Sequence, residues 1–205
     1  KAIKNLDLLI SKFPDDSLAS LAQYKLVNIY KNWKHNPEMV FEALNKTIDN
    51  YPKSLQAVQA TKELGGFQEW VINKAETLRK RKLTNESINN LLYLVEKYPD
   101  HELASKGQYI IGDIYMNDLR DFEKALDEYR VVLNKYKGSK EEALAQFMIG
   151  YIYANILKNL DKARSEYQVF LNRFPKHELF PSVKFEIDHL GKDINEIPAL
   201  KHITS

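Results

Sequence analysis

The sequence predicts an all-α fold: a right-handed α–α superhelix, or solenoid, of about ten helices in antiparallel pairs. Three observations lead there. An aromatic–proline landmark recurs at near-constant spacing. The same apolar stripe of helical period precedes each landmark. Gly and Pro number only seven each in 205 residues, sparse for a β protein that turns every ~8–12 residues.

The landmarks are Phe13-Pro14, Tyr51-Pro52, Tyr98-Pro99, Tyr136-Lys137 and Phe174-Pro175, spaced by 38, 47, 38 and 38 residues. The longer interval is one period plus nine. At positions −11, −7, −4 and −3 from each aromatic stand Ala2, Leu6, Leu9, Ile10; Val40, Leu44, Thr47, Ile48; Ser87, Leu91, Leu94, Val95; Ala125, Tyr129, Val132, Leu133; and Ala163, Tyr167, Phe170, Leu171. Steps of this size put each set on one helix face. Helices B are therefore placed at 1–12, 37–50, 84–97, 120–136 and 158–173. Proline, with no N–H to donate, ends them.

A second helix follows each landmark, at 16–32, 54–82, 101–117, 139–156 and 177–190. Asp16, Ser54, His101, Ser139 and His177 stand at the cap position of these A helices, and Ser139 with Glu142 has capping-box spacing. Inside them, one slot is small (Ala22, Ala60, Gly107, Ala145) and another apolar (Leu26, Leu64, Ile111, Ile149). Gly65, Gly112 and Gly150 share a third slot; Tyr30, Tyr115 and Tyr153 share a fourth. Helical glycine costs about 1 kcal/mol against alanine, so its recurrence predicts close approach of a neighbouring helix. The nine extra residues between Gly65 and Ser87 are expected to lengthen the second A helix by roughly 13 Å. They carry Trp70 and end in Arg79-Lys80-Arg81-Lys82.

These repeats predict one solenoid over 1–205: a truncated repeat at 1–14, repeats at 15–52, 53–99, 100–137 and 138–175, and a capping helix and tail at 176–205. Ile194, Ile197 and Leu200 of the tail are expected to cover the last apolar face. Starting at Lys1 inside a B helix, the chain reads as a fragment.

Thirty basic and 28 acidic residues give a net charge near +2, without the basic excess of a nucleic-acid binder. With no cysteine, disulfides and thiolate metal sites are excluded. No apolar run reaches the ~18 residues of a membrane span.

The segment Tyr109-x-x-Gly112-x-x-Tyr115, Ala125, Tyr129 resembles the tetratricopeptide repeat, as does Phe147-x-x-Gly150-x-x-Tyr153, Ala163, Tyr167, Phe174-Pro175. The resemblance covers residues 1 to about 190, in two strong copies and three weaker ones. It departs at the usual Trp slot, held by Gln108 and Gln146, and in a period of 38 rather than 34. One added residue falls in the A–B turn and three after the Pro, as in Pro-Asp-Asp-Ser-Leu-Ala at 14–19. This lengthened form is similar to bacterial cell-envelope repeat proteins of the CpoB (YbgF) and BamD type. The resemblance implies a non-enzymatic scaffold for a protein or peptide partner, periplasmic or outer-membrane-associated, with neither cofactor nor metal. A lipid anchor would require a Cys upstream of Lys1.

In such arrays helix A lines the concave side. The candidate partner-binding residues are Tyr24, Asn28, Tyr109, Asp113, Met116, Phe147, Tyr151, Phe185 and His189. They form an aromatic groove with polar flanks, suited to an extended peptide or a helix. The competing reading is that the aromatics pack within the helix layer. His101 and His177 read as helix-start residues rather than metal ligands, and no HExxH, P-loop, GxSxG or GxGxxG pattern occurs. Three alternatives stand beside the envelope scaffold: a cytoplasmic adaptor, a helical accessory region of a larger enzyme, and self-association through the terminal helices.

Overall fold

The computed structural model describes residues 1–192, so the predicted contact of Ile194, Ile197 and Leu200 lies outside the described residues. Within them there are eleven α-helices and no strand: α1 Ala2–Lys12, α2 Ser17–Ile29, α3 Pro37–Asn50, α4 Leu55–Gly65, α5 Phe67–Lys80, α6 Thr84–Lys97, α7 Glu102–Ile114, α8 Phe122–Lys135, α9 Lys140–Tyr151, α10 Leu160–Arg173 and α11 Phe180–Asp188. The fold class is all-α and tetratricopeptide-like, with helices packed in adjacent pairs. Two compact units divide at Gly107/Gln108.

Each aromatic landmark sits at a corner between hairpins. The backbone N–H of Phe13, Tyr51, Tyr98, Tyr136 and Phe174 closes the preceding helix on the carbonyl four residues back, at 2.8–3.2 Å. Each aromatic carbonyl then accepts from the residue three ahead, Asp16, Ser54, His101, Ser139 or His177, at 2.9–3.1 Å. The three residues added after the aromatic thus form one repeated turn. The next helix is capped by the expected residues. Asp16 accepts from Leu18 N–H at 2.7 Å and Ser54 from Ala57 N–H at 3.0 Å. His101 and His177 accept through Nδ1 from the N–H two residues on, at 3.1 Å in both copies, so the imidazole replaces the usual Asp or Ser oxygen. The expected capping box does not form: Ser139 Oγ caps nothing. Glu142 instead reaches back to Gly138 N–H at 2.8 Å and pairs with Arg173.

The residue added in the A–B turn has a specific structural result. Helices α2, α7 and α9 each run into a five-residue π-helical turn, at Tyr30–Lys34, Tyr115–Leu119 and Ile152–Ile156. A widened turn of this kind absorbs one extra residue without leaving the helix. Left-handed residues then reverse the chain at His35, Arg120 and Lys158, with φ 50°, 56° and 54°. Helix α5 lacks the extra residue. It ends on an ordinary Schellman closure, Leu83 N–H to Leu78 C=O at 3.0 Å, around left-handed Lys82.

The continuous helix expected over 54–82 is corrected: it breaks at Gly66 into α4 and α5. Gly66 has φ −117° and ψ 24°, outside helical values. Helix α4 packs on α3 and α2, while α5 forms the hairpin with α6. The buried stripe Phe67, Val71, Ala75 and Leu78 belongs to α5. Ser87 Oγ of α6 bonds Ala75 C=O at 2.8 Å. The nine extra residues therefore produce an additional helix, and the slots of the second A helix shift into α5. Phe67 lies among Phe41, Trp70, Tyr93 and Tyr98, with ring centroids 5.4–6.5 Å away. Phe67 is thus a core residue of the first unit, with half-buried Trp70 stacked on it.

In the second unit the B-helix tyrosines lie over the A-helix glycines. A Cβ built on Gly112 would stand 2.8 Å from Tyr129, and one on Gly150 would stand 2.5 Å from Tyr167. Both tyrosines are fully buried. Gly65 approaches nothing within 4 Å, in keeping with its place at the end of α4 rather than inside a hairpin. The Trp slot is filled by hydrogen bonding: buried Gln108 donates to Glu128, and buried Gln146 to Glu166 at 2.7 Å.

Candidate partner-binding face

Tyr24 and Asn28 lie in α2 of the first unit. The other seven candidates lie on α7 and its π-turn, on α9, and on α11 and its C-cap residue His189. The A-helix slot three residues before the glycine brings forward Tyr109, Phe147 and Phe185, one from each of α7, α9 and α11. One turn on, the same faces carry Asp113, Tyr151 and His189.

These side chains are neither free nor fully covered. Tyr109, Phe147 and Tyr151 are half-buried and pack on the core of the second unit. The Tyr109 ring lies 5.4 Å from Tyr129; Phe147 lies 6.2 Å from both Tyr151 and Tyr167. Phe185 is 37% exposed, with the His189 ring only 4.2 Å away. His189 Nδ1 lies 2.8 Å from Phe185 C=O, which fixes that pair on one face of α11. The aromatics thus serve the layer and the surface together: one side supports the B-helix tyrosines and the other remains open.

Met116 is corrected. It is only 7% exposed and belongs to the core of the second unit, not to its surface. It lies in the π-helical turn, where the wider helix rotates the slot inward.

Carboxylates border the aromatics. Burial, and then the charges of Asp113 and Glu141, pushes the Tyr109 hydroxyl up to about 12. Burial and then Glu186 raises that of Tyr167. Asp113 also accepts from Asn117 at 2.6 Å. Glu141 and Glu186 border the candidate face and are not singled out by the repeat pattern, because no equivalent acid stands at their slots in the neighbouring copies.

In the first unit Tyr24 is engaged rather than open. Its hydroxyl donates to Glu63 of α4, which also takes Lys31 and, at 3.2 Å, Gln59. Lys31 Nζ lies 5.2 Å from the Trp70 ring centre. Burial and then the Glu63 bond push Tyr24 up to about 12. Burial acts to raise the Glu63 carboxyl, but the bonds from Lys31, Tyr24 and Gln59 prevail and lower it. This network ties α2 to α4 and α5. Asn28 remains exposed.

Among the described residues, no group of three or more His, Asp or Glu is placed to hold a metal ion. No described helix is long and apolar enough to cross a membrane.

Residues 107–139 and 144–177 match the tetratricopeptide repeat. The matched segments are the hairpins α7–α8 and α9–α10, which carry Tyr109, Asp113, Phe147 and Tyr151. Helical hairpins of this class generally mediate protein–protein interaction. No curated protein matches the chain.

Proposed function

We propose that this chain is a non-catalytic scaffold that holds a protein or peptide partner on the face of α7, α9 and α11. One observation supports this most. Tyr109, Phe147 and Phe185 repeat at equivalent slots of successive A helices, with Tyr151 one turn on from Phe147; Tyr109, Phe147 and Tyr151 are half-buried against the core and Phe185 is exposed. Rigid aromatics held by a core lose little entropy on binding and make strong anchors. The lengthened 38-residue repeat supports a place in the bacterial cell envelope, where similar repeats occur. The test is capture of a partner by the purified chain, then affinity measurement with Tyr109→Ala and Phe147→Ala combined. A loss of at least tenfold with helicity retained supports the face; an unchanged affinity refutes it.

A second reading, self-association, has its own observation. Helix α1 contains no buried residue, and Leu8 and Phe13 are 51% and 60% exposed. Light scattering across a concentration series distinguishes this reading: a mass that rises with concentration and reverts to the monomer value in Leu8→Glu supports it.

A further inference from the structure

Two adjacent corners of the first unit combine an exposed aromatic with unpaired cations. Trp33, in the π-turn after α2, is 81% exposed and makes no ring contact among the described residues. Lys34 follows it, and the corner continues through left-handed His35. This corner rests against the first turns of α6: Asn90 Nδ2 donates to His35 C=O at 2.9 Å, and Lys34, His35, Glu86, Asn89 and Tyr93 line one cleft between them. The head of α6 is the second corner, with Lys80, Arg81 and Lys82 all exposed. Among the described residues, none of Lys34, Lys80, Arg81 or Lys82 forms an ion pair. Lys74, about two helical turns before Arg81, is lowered by burial and then by the charge of Arg81. Glu38 and Glu86 are the acids that line the cleft beside Lys34.

We infer that this edge is a contact site for an anionic phospholipid surface. Its form favours a lipid layer over a peptide. Trp33, Lys80, Arg81 and Lys82 stand exposed at turns and outside the cleft lining, so a broad surface can reach them. A tryptophan ring is amphipathic and settles at headgroup depth, and clustered Lys and Arg beside it are drawn to anionic headgroups. The inference does not depend on the α7–α9–α11 face, since all these residues belong to the first unit.

The test uses the intact chain with phosphatidylcholine vesicles, with and without phosphatidylglycerol. Expected results are binding only to the anionic vesicles, a blue shift of tryptophan emission, and release as salt approaches about 0.5 M. Trp33→Phe should abolish the shift, while Trp70→Phe should keep it. Lys80→Glu with Arg81→Glu should weaken binding at least tenfold, with unchanged circular dichroism. Absence of binding to anionic vesicles overturns the inference, as does a shift that survives Trp33→Phe. Capture of polyglutamate without vesicle binding assigns the edge to an acidic polypeptide and equally overturns it.

Discussion

The ring of Tyr167 lies across Gly150 with no room for a methyl group: a Cβ there would stand 2.5 Å from both Cδ1 and Cε1. Tyr129 takes the same position over Gly112, one period earlier. The glycine–tyrosine pair is therefore a close approach of the two helices in each of these hairpins. It also supports Tyr109 and Phe147, whose rings lean on the two buried tyrosines.

Gly150→Ala should destabilise the protein by about 1–3 kcal/mol, because the buried ring has nowhere to move. Gly65→Ala is the matched control. Nothing lies within 4 Å of it, so alanine's helix preference should leave stability unchanged or raise it by up to about 1 kcal/mol. Thermal unfolding of the two variants checks this, and equal losses would contradict the packing described.

Glu63 and Glu128 should respond to pH in opposite directions. The bonds to Glu63 lower its carboxyl below the usual value. Its stabilisation is present above the unfolded-state value and is lost as pH falls through the folded one. Glu63→Gln should cost about 1.5–3 kcal/mol at neutral pH, and less in acid. Burial raises Glu128 despite the bond from Gln108. Its neutral form is favoured in the folded state, so stability is greatest at low pH and falls as pH rises through the raised value. Glu128→Gln should raise Tm at neutral pH, with the gain shrinking toward pH 4. Melting curves of both variants across pH carry the comparison.

Lys158 adopts φ 54°, and among the described residues its side chain makes no bond that compensates it. Left-handed backbone costs a non-glycine residue roughly 1–2 kcal/mol, partly offset by the extra freedom glycine has when unfolded. Lys158→Gly should therefore gain about 0.5–1 kcal/mol, and a β-branched residue there should lose stability. A lower Tm for the glycine variant would show that Lys158 holds the turn in some other way.

Glu142 is nearly inaccessible and is held by Arg173 and Gly138 N–H. Removing the cation leaves a buried carboxylate with one partner fewer. Arg173→Met should cost about 1–3 kcal/mol, and Glu142→Gln in the same chain should recover part of it. Additive losses from the two changes would show that the pair is not coupled.

The hairpins were legible because they repeat. Phe13, Tyr51, Tyr98, Tyr136 and Phe174 fixed every corner, and Gly112 and Gly150 announced the close approach of Tyr129 and Tyr167. The break at Gly66 is not legible in the repeat, because Gly65 falls on the slot of Gly112 and Gly150 although it ends a helix. The stripe Phe67, Val71, Ala75, Leu78 was the signal that α5, not α4, pairs with α6. Met116 was misplaced because a straight-helix register does not foresee a π-turn. The partners of Tyr24 were hidden for a different reason: Glu63 has no counterpart at the same slot in other copies. Gln108 with Glu128 and Gln146 with Glu166 do repeat at one period, and their pairing was there to be found.

Partner binding through the α7–α9–α11 face is tested most directly by photocrosslinking from single positions. A photoreactive residue is placed at Tyr151 or Phe185 on that face, or at exposed Arg164 or Gln168 on α10. Adducts with one partner from Tyr151 and Phe185, and none from Arg164 or Gln168, are the expected result. Adducts from the α10 positions alone would contradict it.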